Sequence, residues 1–171
     1  MANNKNLGLS RDVNVIKKDR LRFTKNTLSS TLCYIAIFFD ALYFVHIYSI
    51  NPSEDIGKSF FYSITIGISV ICNLLFLLFT FLSSEGVKNY SKLFSIVLIG
   101  IGAFQLVRIF GIPMTGFNTI IADDIRLIDL KSFITLIVYL VISATCCVSS
   151  GIIGLIKTIT LENYKKTTGL N

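Results

Sequence analysis

Two ionisable side chains stand inside sequence that is otherwise apolar: Asp40 in "YIAIFFDALYFVHIY" and Arg108 in "GAFQLVRIF". An acid and a base in such surroundings are the residue types of an ion pair, a proton carrier or a cation site. Tyr43 follows Asp40 by three residues and shares its face if the segment is helical. Asn73, Gln105, Tyr139 and Ser143 interrupt other apolar runs at compatible depths. Asp40, Tyr43, Asn73, Gln105, Arg108, Tyr139 and Ser143 therefore form a candidate intramembrane polar cluster, able to bind a proton or ion or to join helices by hydrogen bonds.

Other chemistry finds little support. His46 is the residue type of a proton relay, but it is turned about 120° from Asp40 and lies among Tyr43 and Tyr48, the setting of an interfacial residue. A single histidine without spaced carboxylate or thiolate partners makes no metal site. Cys33, Cys72, Cys146 and Cys147 lack the Cys-x-x-Cys spacing of thiol exchange and read as small packing residues. Glycine-rich phosphate loops, nucleophile elbows and His-Glu zinc motifs are missing from the sequence. The expectation is a non-catalytic protein with no metal and no cofactor.

The elements that must position these residues follow from composition, with 53% of residues hydrophobic and 15% charged. Apolar runs at 27–50, 59–82, 93–112 and 132–156 each match the ~20 helical residues needed to cross a hydrocarbon core of ~30 Å. The predicted fold is all-α: a polytopic membrane protein with four transmembrane helices in one bundle. Residues 1–26 form a basic juxtamembrane arm, 27–156 the bundle and 157–171 a tail. The polar residues before the first run mark it as a retained span, not a secretory signal.

Basic residues set the orientation. Lys5, Arg11, Lys17, Lys18, Arg20, Arg22 and Lys25 outnumber Asp12 and Asp19 in the arm; Lys88 and Lys92 outnumber Glu85 in the second loop; Lys157, Lys165 and Lys166 outnumber Glu162 in the tail. The other two loops carry a slight acidic excess. Both termini are thus expected in the cytoplasm, with the bundle in the plasma membrane. Lys17, Lys18, Arg20, Arg22 and Lys25 are placed to contact anionic inner-leaflet lipid headgroups at ~1 kcal/mol each. The net charge of +6 is read as a topology and lipid signal, not as nucleic-acid binding. "RDVNVIKKDRLRF" interleaves apolar and basic residues either as a helix on the inner headgroup surface or as a solvated arm.

Depth along the helices sharpens the central pair. With the first span centred near Phe38 and Phe39, Asp40 lies within ~2 Å of the midplane, whereas Arg108 lies about 8 Å to the outer side in the third span. A carboxylate facing lipid there would cost at least ~2.5 to 3.5 kcal/mol, so Asp40 must face other helices. An Arg stem can cover much of the depth difference, which predicts an Asp40–Arg108 ion pair tying the first span to the third.

Packing faces are marked by small residues. Ser132, Thr135, Tyr139, Ser143, Cys146, Ser150 and Gly154 draw one stripe along the fourth span, and Cys33, Ala36 and Asp40 a shorter one along the first. Between the last two spans, Pro113 and Gly116 should break the third helix. Ile121, Ile125 and Ile128 then recur opposite Asp123, Asp124 and Asp129 as an amphipathic turn or two on the outer surface. These features point to an accessory or scaffold subunit of a larger membrane complex, with other membrane subunits or further copies of itself as partners. The alternative is a small transporter or channel component that uses Asp40 and Arg108 for proton or ion coupling.

Overall fold

The computed structural model describes residues 15–16, 24–50, 60–118, 120–122 and 125–168. Its elements are α1 (Thr27–Ser49), α2 (Phe60–Lys88), α3 (Lys92–Val107), a 3-10 turn (Arg108–Phe110), α4 (Ile112–Asn118), β1 (Ile120–Ala122), β2 (Ile125–Arg126) and α5 (Leu130–Thr168). Four helical segments are long and apolar enough to cross a membrane, the third running from Lys92 to Asn118 through the break at Arg108. Lys17, Lys18, Arg20 and Arg22 of the basic arm, and Asp123 and Asp124 of the link before α5, lie outside the described residues.

The long helices form a ring. α5 packs along both α1 and α3, α2 packs along the same two, and α2 and α5 barely touch across the diagonal. Sequence neighbours are therefore spatial neighbours, as short connections between antiparallel helices demand.

The ring buries many polar residues beside its apolar core and exposes many large apolar ones, unlike a protein folded in water. Its interior holds Ser29, Asn73, Thr80, Ser84, Ser95, Gln105, Ser143 and Ser150. Its surface carries Phe38 and Val45 from α1, Ile68, Ile71, Leu74, Leu78 and Phe81 from α2, and Ile96, Phe104 and Val107 from α3. Apolar surface of that extent suits hydrocarbon. With an apolar solvent, helices associate through close contact and hydrogen bonds, for which small polar residues serve best.

Three glycines allow the close contact. A Cβ at Gly102 would lie 2.6 Å from Val148 Cγ2 and 2.9 Å from the Ala144 carbonyl oxygen. At Gly151 it would meet Ile99 Cγ1 and the Ser95 carbonyl at 2.7 Å, and at Gly154 it would meet Val87 Cγ1 at 2.7 Å. On the α1 side, Ser29 and Ser150 each donate to the other's main-chain carbonyl, at 2.7 Å for the Ser150 hydroxyl, and Cys33 Sγ is 3.0 Å from Ser150 Oγ. Ser143 Oγ donates to the Ala36 carbonyl at 2.9 Å.

The buried stripe of α5 departs from the expected one between Ser132 and Cys147. Ser143, Ser150 and Gly154 are buried, but Cys147 takes the place of Cys146, and Leu136 and Leu140 those of Ser132, Thr135 and Tyr139. There the bundle needs volume more than close approach. Leu136 and Leu140 fill it together with Tyr43, Ile47 and Ile128.

Local chemistry explains the ends and the break. After α2, Tyr90 adopts φ 59°, Tyr90 N–H donates to Val87 O and Ser91 N–H to Gly86 O, both at 3.1 Å. That pair of bonds is a Schellman closure with a tyrosine where glycine is usual. α3 stops at Val107 because Pro113 has no N–H to give Ile109 and its ring would crowd that carbonyl. A 3-10 turn closed by Gly111 N–H on Arg108 O (3.1 Å) bridges the gap before α4.

The link between α4 and α5 differs from its expected form. Ile120–Ala122 and Ile125–Arg126 pair antiparallel as a small hairpin, not as an amphipathic helix. Ile128, 3% exposed, is driven into the core over Gly116, whose carbonyl accepts its N–H at 3.2 Å. Burying one isoleucine in the bundle outweighs laying it on a surface. α5 has 39 residues, about 58 Å of rise, so the helix continues from the fourth span through most of the segment read as a tail.

Candidate functional site

Each side chain of the site is delivered by a periodicity of its own helix. On α1 the buried positions are Ser29, Ser30, Cys33, Ala36, Asp40, Tyr43 and Ile47, which from Ser30 onward step by three and four and keep Asp40 and Tyr43 on one inward face. On α2, Asn73 and Phe76 repeat the same spacing of a polar residue and an aromatic ring. On α3 the stripe Ser95, Leu98, Ile101, Gly102 and Gln105 faces inward, and Arg108 follows Gln105 by three residues at the start of the 3-10 turn.

These helices converge on the guanidinium of Arg108. Its Nη1 donates to Asp40 Oδ1 at 3.1 Å, and its Nη2 donates to Asn73 Oδ1. Its central carbon lies 4.8 Å from the ring centroid of Tyr43 and 4.8 Å from that of Phe76. Asp40 is 2% exposed and the Arg108 side chain 12%. The expected ion pair thus joins α1 to the end of α3, diagonal partners in the ring, and the Arg108 stem reaches into the ring.

Removing two charges from solvent is costly, and attraction between them offsets the cost only where the geometry is close and the remaining polar atoms are satisfied. Here the guanidinium is well served: carboxylate, amide oxygen and two π faces surround it. Its partners are less so. Asp40 Oδ2, Asn73 Nδ2 and both polar atoms of the Gln105 amide are buried without a protein hydrogen-bond partner.

Of the residues proposed from sequence, Asp40, Tyr43, Asn73 and Arg108 are brought together by these contacts. Gln105 is fully buried on the same α3 stripe but makes no protein hydrogen bond. Ser143 serves the α1–α5 seam through the Ala36 carbonyl. Tyr139 packs elsewhere, 6.2 Å from the rings of both Phe39 and His46 and edge-on to the imidazole. Lys25 is exposed just before α1.

Sequence reasoning missed Phe76, a second wall of the site. Its spacing from Asn73, the same as that of Tyr43 from Asp40, was the available signal. Also missed was the polar end of the bundle, where Lys157 donates to Asn26 Oδ1 at 2.8 Å, Asn26 N–H to Lys88 O at 3.1 Å, and Lys92 pairs with Glu162. Among the described residues no group of three or more His, Cys, Asp or Glu side chains is placed to hold a metal ion.

The chain matches no family model, no curated protein and no solved structure. Any function is therefore argued from the site itself.

Proposed function

We propose that this protein is a membrane-embedded, non-catalytic accessory or scaffold subunit, inserted with both termini in the cytoplasm. The observation that carries the reading is the pairing of Asp40: one oxygen of its carboxylate accepts from Arg108, which is itself held by Asn73, Tyr43 and Phe76. An intramembrane acid used in this way fixes how helices meet. The orientation is supported by the gathering of Lys88, Lys92 and Lys157 at the bundle end where α1 begins. Apolar side chains along α2 leave a long face for lipid or for a helix of another subunit.

The test is purification from native membranes in a gentle detergent after cross-linking. Stoichiometric recovery with defined membrane proteins supports the subunit reading. Recovery only as a monomer or homo-oligomer that moves ions in liposomes overturns it. That outcome would favour a second reading, proton or ion coupling at Asp40, which draws support from the unpartnered Asp40 Oδ2, Asn73 Nδ2 and Gln105 amide. In that case flux would be lost in Asp40→Asn.

A further inference from the structure

None of the four groups that hold the Arg108 guanidinium belongs to its own helix. Asp40 and Tyr43 come from α1, Asn73 and Phe76 from α2, and in both pairs the ring lies three residues beyond the acceptor. Two neighbouring helices therefore present one carboxylate oxygen, one amide oxygen and two aromatic faces to a common point. That is the chemistry by which a planar, delocalised cation is recognised: acceptors in line with its N–H groups and π clouds against its carbon. A compact ammonium is a poorer match, since a point charge does not offer two fixed, coplanar donors while lying against rings. Capacity is left over in the site, because Asp40 Oδ2 finds no protein partner.

We infer that α1 and α2 carry a binding site for a guanidinium-class organic cation, and that the Arg108 side chain is its tethered occupant. Docking of the third span on the first two is then an intramolecular ligand-binding event. Truncating Arg108 leaves the box built but its carboxylate uncompensated, and a free guanidinium ion restores the charge, the two acceptors' donors and both π contacts. Co-purification tests the accessory-subunit reading and ligand rescue tests this one, so the two can fail independently.

The experiment uses the full-length chain carrying Arg108→Ala, solubilised in gentle detergent and titrated with guanidinium chloride in the millimolar range. Methylammonium chloride and sodium chloride at equal ionic strength are the controls. Guanidinium is expected to raise the melting temperature of the variant saturably, by about 5–10 °C at ~100 times its Kd. Methylammonium should do less and sodium nothing, and the wild type, already occupied, should not respond. Asp40→Asn in the Arg108→Ala background abolishes the response. If Arg108→Ala is recovered folded only when guanidinium is present during growth and extraction, that recovery supports the proposal. Equal shifts with sodium or methylammonium, a response retained after Asp40→Asn, or failure of guanidinium to shift or recover the variant each overturn it.

Discussion

The Asp40–Arg108 contact makes a quantitative demand on stability. At 3.1 Å and an effective dielectric constant of about 20, the Coulomb attraction between the two charges is about 5 kcal/mol. Asp40→Asn leaves a buried guanidinium with neutral partners only, and Arg108→Leu leaves a buried carboxylate with none. Each single change is expected to cost about 3–5 kcal/mol. The double variant removes both charges at once, so its cost should fall short of the sum of the singles by about 2–3 kcal/mol. This is less than the full Coulomb energy because in Asp40→Asn the introduced amide oxygen still accepts from Arg108. Reversible unfolding of the helical bundle in mixed micelles, followed by far-ultraviolet circular dichroism, measures all three. Additivity within about 0.5 kcal/mol would show that the two side chains do not share a buried pair in the folded protein.

Three further outcomes are expected. Gly102→Ala and Gly151→Ala push a Cβ into Val148 and Ala144 O, or into Ile99 and Ser95 O, and should cost about 1–3 kcal/mol in the same assay. Gly100→Ala, whose Cβ meets nothing within 4 Å, should be neutral or stabilising by up to about 1 kcal/mol. Ser150→Ala removes a hydroxyl bonded to Ser29 and Cys33 and should lower stability by about 1–2 kcal/mol, with Ser143→Ala additive to it. Asp129 caps α5, its carboxylate accepting the Ser132 N–H at 3.4 Å, and hydrogen bonding from the Ser132 side chain, with smaller help from the main-chain N–H groups, holds its carboxyl below the usual range. Because the folded-state value is depressed, the cap's contribution is present above the ordinary carboxylate range and is lost as pH falls through the folded value. Melting curves of Asp129→Ala and wild type should therefore differ at neutral pH and converge in acid.

Much of the site was legible because a helix fixes two coordinates of every residue, its angle about the axis and its depth along it. Depth alone placed Asp40 and Arg108 within reach of one another, and angle put Tyr43 beside Asp40. Asn73 qualified by depth, yet nothing in its own segment said that its oxygen would meet Arg108. Phe76 was overlooked because its three-residue spacing from Asn73 is common in an apolar helix and gains meaning only once a cation is known to lie against the ring. Tyr139 shares the depth of the cluster but belongs to another face, where His46 and Phe39 receive it.

Local chemistry along the chain was enough for the four apolar helices and the inward stripe of α1; it signalled a break at Pro113 but set it too late, since the helix gives way at Arg108 and resumes through Pro113 and Gly116. Their causes are hydrophobic run length, a period of 3.6 residues and a missing N–H, all readable without a neighbour. The path of the Arg108 stem, inward across the ring diagonal, came from the packed bundle, because it depends on which helices stand opposite. Packing also selected the buried residues of α5, small ones where backbones touch and leucines where Ile128 and Tyr43 hold them apart. The hairpin that replaced an amphipathic turn has the same origin, since Ile128 gains more by entering the bundle than its segment gains by remaining helical.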